Sequence, residues 1–208
     1  MEKKISSLIG AWEKRNIRGF YFASKEEAVK KILELVPHSN SVGICGSQTL
    51  DQLGIVKLLE ERGNHVFNQY HPGISRGESL ESRRQGANAD YYLASANAVS
   101  EKGELVFLSA YGNRIAGISN AANVIVVCGI NKIAANVDEA LKRGREFATP
   151  LNCKRLNWNA ACLADGVCRK DICFSPEYKR MCCQLLTIEA EAIPDRLKVI
   201  LVGENLGF

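Results

Sequence analysis

The run VIVVC at residues 124–128 constrains this chain most, because a strand without polar alternation must be buried on both faces. Such a strand belongs at the centre of a parallel sheet covered by helices on either side. The flanking pattern agrees: residues 41–45 (SVGIC), 89–94 (ADYYLA) and 105–108 read as further short strands, with amphipathic or polar helical stretches between them. Residues 1–36 read as helix throughout. Ile5, Leu8, Ile9 and Trp12 share one face, then Ser24 caps a second helix whose stripe is Val29, Ile32, Leu33 and Val36, stopped by Pro37. A helix carrying Leu50, Leu53, Val56, Leu58 and Leu59 is broken near Gly54, and 65–67 is a short extension. Residues 76–86 form a polar helix, and Asn136 opens a helix over 137–147 with Asp138 and Glu139 in its first turn. Strands follow at 184–190 and 197–202. The expectation is an α/β, Rossmann-like domain over 1–208, with a mostly parallel sheet and helices on both faces.

Between residues 149 and 184 that regularity stops, and a segment of this length needs some other source of order. Five of the eight cysteines lie there within 22 residues: Cys162, Cys168, Cys173, Cys182 and Cys183. They are disulfides, metal ligands or redox thiols. The N-terminus lacks an apolar signal segment and no apolar run reaches the ~20 residues of a membrane span, so a cytoplasmic setting and no membrane association are expected. In a reducing compartment ligands and redox thiols outrank disulfides. The spacing has neither the paired knuckles of zinc ribbons nor the ferredoxin run, but four converging thiolates suffice for zinc or a [4Fe–4S] cluster. Cys162, Cys168, Cys173 and Cys182 are the expected set, with Cys183 pointing elsewhere and nearby Lys and Arg offsetting the negative charge. No other cofactor is expected. The net charge of +4, without a basic block, suits small anions and not nucleic acid.

Three segments could hold such an anion. Gly46-Ser-Gln-Thr49 joins a strand end to a helix start, where Ser47 and Thr49 either bind an anion or cap the helix. The stretch after ADYYLA contains Asn97 and Glu101; a carboxylate there is either a base or nucleophile, or part of a solvated Glu-Lys-Gly turn. Gly112, Asn113 and Arg114 form a turn in which Arg114 either grips a carboxylate or phosphate or makes a surface ion pair. His38, His65 and His71 are isolated.

Taken together, GSQTL (46–50), ANAVSEKGELV (96–106), GNR (112–114), VIVVCGINKI (124–133) and ILVGENLGF (200–208) resemble the LUD, or lactate-utilisation, domain family in its compact form. The resemblance implies the fold of ribose-phosphate isomerases, glucosamine-phosphate deaminases and CoA transferases. It implies a setting in organic-acid metabolism, an anionic metabolite of carboxylate, phosphate or CoA type, and Glu101 as base or nucleophile. An electron-transfer or assembly role through an iron–sulfur cluster, or a non-catalytic binding role with structural zinc, are the alternatives. A redox protein and a second copy of the chain are the macromolecular partners left open. The resemblance also implies a C-x5-C-x2-C set followed by Ser-Pro and Arg-x-Cys. Cys162, Cys168, Cys173, Ser175-Pro176 and Arg180-Met-Cys182 keep that order, with four residues instead of two in the second gap.

Overall fold

The structure, a computed structural model, describes residues 2–208. Its frame is a six-stranded parallel sheet in the order β1-β10-β7-β4-β2-β3. The strands are β1 (Arg18–Phe22), β2 (Val42–Ile44), β3 (Val66–Phe67), β4 (Tyr91–Ala94), β7 (Asn123–Gly129) and β10 (Leu197–Val202). The VIVVC run lies in β7, between β10 and β4, with Val124–Cys128 fully buried as expected. Alternation along the strands sorts the core into two layers. Val124, Val126, Cys128, Val199 and Leu201 face one way; Ile125, Val127, Ile200 and Val202 face the other.

Helices α2 (Lys25–Leu35), α3 (Gln48–Leu53) and α4 (Ile55–Glu61) cover the second face through Ile32, Leu50, Ile55 and Leu59. The first face is covered by α1 (Glu2–Lys14), α6 (Asn113–Asn120) and a second sheet. α5 (Arg76–Gly86) reaches the same side, where Gly86 touches Gly43 of β2 so closely that a Cβ on Gly43 would stand 2.0 Å from the Gly86 carbonyl. The expected caps are in place: Ser24 forms a capping box with Glu27, and Asn136 accepts from the Glu139 amide; Ser75 forms a further capping box with Glu78 at the start of α5.

Three elements depart from the sequence reading. Residues 18–22 are not helical but form edge strand β1, set off from α1 by Asn16 at φ 59°, a left-handed conformation Asn tolerates. Residues 105–109 and 184–188 do not join the main sheet. They are β6 (Leu105–Ser109) and β9 (Gln184–Ile188) of a second sheet, β8-β5-β6-β9, with β5 (Ala98–Ser100) and β8 (Ile133–Ala134). This sheet is a filling between layers: Leu105 and Phe107 pack on the main sheet, while Val106 turns to Ala140 of α7 (Val137–Arg143). Helical structure also runs past residue 149, through a π-helical turn at Gly144–Ala148 into α8 (Thr149–Arg155), with Pro150 in the first turn of α8. No helix among the described residues is long and apolar enough to cross a membrane.

Candidate functional site

In parallel sheets the strand carboxyl ends and the N-termini of the following helices meet at one edge, and ligands sit where the winding reverses. Here β2 leads outward to β3 through α3 and α4 on one face, whereas β4 leads to β7 through the second sheet and α6 on the other. The loops above β2 and β4 therefore part, and a crevice of about 440 Å³ opens between them.

Its floor is a cluster of polar side chains drawn from three loops. Lys132, just after β7, is 4 % exposed, and its Nζ donates to Thr49 Oγ1 (2.9 Å), Ser95 Oγ (2.8 Å) and the Ala96 carbonyl (3.1 Å). The Ser95 hydroxyl donates in turn to Thr49 Oγ1 at 3.1 Å. Burial lowers the Lys132 pKa from the usual lysine range to about 8, since the ammonium has lost its water. No carboxylate pairs with it among the described residues.

Arg114 bridges the strand ends instead of gripping the surface. Nε donates to Cys45 Sγ (3.4 Å), Nη1 to Asn97 Oδ1 (3.1 Å) and the Leu108 carbonyl (3.0 Å), and Nη2 to the Gly46 carbonyl (2.7 Å). These use four of the five N–H groups of a guanidinium, leaving one on Nη2 for a ligand. Asn97 is held by the Leu108 amide (2.8 Å) and also lines the crevice. The rim adds Arg83, whose guanidinium lies 4.8 Å from the Tyr111 ring centroid, Lys179, 3.9 Å from that of Trp158, and Arg155. Five basic side chains line the crevice and no Asp or Glu does.

Most of the expected ligand residues meet here. Gly46, Ser47, Thr49, Asn97, Asn113 and Arg114 all line the crevice. Ser47 also caps α3 by accepting from the Leu50 amide, so the two readings of that turn coexist. Gly46 permits close approach, since a Cβ there would lie 2.4 Å from the Tyr70 hydroxyl. Gly112 lies outside the lining; at φ 80° it shapes the turn into α6. Glu101 is placed elsewhere: it lies in the β5–β6 turn, at the opposite end of that hairpin from Asn97, exposed and paired with Lys4 at 3.2 Å. Ser95 and Lys132 were missed. Their signal was positional, since each follows the carboxyl end of a buried strand.

The cysteine loop is a small core of its own beside the crevice. Cys153 of α8 packs with Ala160, Ala161, Cys162, Cys173 and Met181, while Cys168 and Cys182 are partly exposed and Cys183 is exposed. Trp158 donates to the Lys179 carbonyl across the loop, and Trp158, Lys179 and Met181 wall the crevice. All eight cysteines are free thiols. Burial raises the Cys153 thiol to about 12, reinforced by Cys162, Cys182 and Cys173 nearby, and burial raises Cys162 as well. The sulfurs suit a thiophilic metal in chemistry, and Cys153 adds a candidate beyond Cys162, Cys168, Cys173 and Cys182. Yet among the described residues no three Cys, His, Asp or Glu side chains gather closely enough to hold a metal ion, because the buried thiols are packed as apolar contacts.

The family model described as the LUD domain matches residues 5–202. A DUF162 family protein from Deinococcus radiodurans has a similar fold, with a TM-score of 0.53 at 13% identity over 97% of this chain and 96% of that one. Ribose 5-phosphate isomerase from Plasmodium falciparum matches more weakly, with a TM-score of 0.35 at 17% identity over 54% of this chain and 52% of that one. None of the curated proteins matches.

Proposed function

The chain belongs to the LUD domain family, and on that premise we propose that it binds a small organic anion, of carboxylate, phosphate or CoA type, in the crevice above β2 and β4. One observation carries this reading: a crevice lined by five basic side chains and no acidic one, with Lys132 buried at its floor without a counter-charge. A cleft lined by charges of one sign attracts the opposite charge, and an anionic ligand offsets the repulsion among the basic side chains. The volume of about 440 Å³ lies within the ~300–1,000 Å³ range of small-molecule sites, with room for a metabolite larger than a three-carbon acid. The family setting makes organic-acid metabolism the context.

A thermal-shift series over hydroxy acids, phosphosugars and CoA esters tests it. A binder present at about 100 times its Kd stabilises the fold by about 2.7 kcal/mol. The paired substitution Arg155→Ala with Lys179→Ala, both exposed, is expected to weaken binding about tenfold at low salt, with the gap closing as salt screens the rim. If no member of the three classes raises Tm, the reading fails.

A second reading concerns the cysteine loop, where Cys153, Cys162 and Cys173 share one buried cluster, although three sulfurs would have to draw closer than they stand to reach a single ion. These thiols, with Cys168 and Cys182 at the margin, would hold zinc or an iron–sulfur cluster, and the latter implies a redox protein as partner. A bound metal would supply the charge that deprotonates thiols otherwise held neutral by burial. Anaerobically purified protein is then expected to contain stoichiometric zinc, or iron with sulfide. Metal-free protein that keeps its full Tm through chelation would refute it.

A further inference from the structure

We propose that Ser95 is a nucleophile activated by Lys132, a serine–lysine dyad that opens esters or thioesters entering the crevice. The choice of an acidic substrate rests on the anion-binding reading above; the dyad itself rests on the geometry of the floor.

Ser95 Oγ and Lys132 Nζ stand 2.8 Å apart, each residue is 4 % exposed, and both line the crevice. An activated nucleophile needs a base at this distance and a third group to orient the base. Thr49 Oγ1 and the Ala96 carbonyl fill that role, fixing Nζ from two further directions at 2.9 and 3.1 Å. A lysine kept only for structure would gain from a carboxylate partner or give way to an apolar side chain. Lys132 has neither arrangement, and with its pKa lowered to about 8 by burial it reaches the neutral form near physiological pH. In that form its lone pair can accept the Ser95 proton. Arg114 has no such neutral form, so it remains the fixed cation that orients an acidic substrate.

The chemistry balances with water as the only co-reactant. Ser95 Oγ bonds to the acyl carbon while its proton passes to Lys132 Nζ. The bond from that carbon to the leaving oxygen or sulfur then breaks, and the leaving group departs with the proton from Lys132. Water gives a proton to Lys132 and adds to the acyl-serine; the bond to Ser95 Oγ breaks, and Ser95 recovers its proton. Ester or thioester plus water becomes carboxylic acid plus alcohol or thiol.

A fluorophosphonate probe reads the dyad without knowledge of the substrate, since Ser95 Oγ would displace fluoride at phosphorus. Incubated with the full chain, it is expected to leave one adduct, mapped by peptide mass spectrometry to Ser95, at a rate rising with pH about a midpoint near 8. Ser95→Ala should remove the adduct. Lys132→Arg keeps a cation in place but cannot act as base, and should slow labelling at least about a hundredfold while Tm shows the fold retained. No adduct, an adduct on Lys132 or Cys45 in place of Ser95, or unchanged labelling of Lys132→Arg would overturn the proposal. Anion-dependent Tm shifts without Ser95 labelling would sink the dyad and leave the crevice reading standing. Labelling without such shifts supports the dyad alone.

Discussion

Trp12→Ala is expected to destabilise the fold by about 3–5 kcal/mol, the cost of emptying a fully packed aromatic site. Trp12 is fully buried, and three elements close on it. It belongs to α1; its ring lies against Gly19 of β1, where a Cβ would come within 2.6 Å; and its indole N–H donates to the Gly103 carbonyl of the β5–β6 turn at 3.1 Å. Removing it therefore loosens a helix, an edge strand and the second sheet together. Trp12→Phe restores most of the apolar contact but leaves the Gly103 carbonyl unpaired, and should cost about 1–2 kcal/mol beyond the smaller ring. Urea unfolding of the three proteins measures both differences. A loss below about 1 kcal/mol for the alanine variant would mean that α1 is not part of the cooperative unit.

The second large effect is the part of the pH dependence of stability that Lys132 contributes. Its pKa is about 8 in the folded protein, against about 10.4 for an exposed lysine. Between these values the unfolded chain binds more protons than the native one, so stability rises with pH. The contribution is fully present above about 10.4, shrinks as pH falls toward 8, and is absent below that. Over the window it amounts to about 3 kcal/mol, undiscounted for screening because the side chain is buried. Lys132→Met lacks the group, so the difference in unfolding free energy between the two proteins should change by that amount between pH 7.5 and 10.5, which denaturant titrations at about these two pH values would show. The methionine variant should gain relative to wild type on the low side, offset in part by the hydrogen bonds lost from Thr49, Ser95 and Ala96. A flat difference would show that Lys132 is hydrated in solution.

The crevice and the cysteine loop read as separate candidates along the chain, but in space they share a wall. Trp158 and Lys179 belong to the loop, yet they close one side of the crevice. The sequence of the loop cannot reveal such contact, since it carries no periodicity that says which surface it packs on. Glu101 shows the opposite case. A carboxylate in a turn between strands is compatible with an edge site, but hairpin pairing of Ala98 with Val106 and Val99 with Leu105 sends the turn to the far end from Asn97. Its neighbour Asn97 stays at the crevice because it stands before the hairpin instead of at its tip.

Edge strand β1 is not legible in the sequence for a related reason. Its residues are only half-buried, so its apolar pattern merges with that of the helices on either side, and only Asn16 marks the break. The second sheet was equally hidden, because β6 and β7 carry similar continuous apolar runs. One is buried between two strands of a parallel sheet; the other is buried between that sheet and α7.

By itself the sequence determined the parallel core, the helix caps and the Gly46-Ser-Gln-Thr49 turn, because periodicity and capping are local and each needs only near neighbours. Tertiary structure alone decided the pairing of Lys132 with Ser95 and Thr49, the bridging role of Arg114 and the burial of Cys153 among the loop thiols. Those contacts join residues far apart in the chain, and they exist because parallel strands deliver their carboxyl ends to one edge whatever the distance between them in sequence.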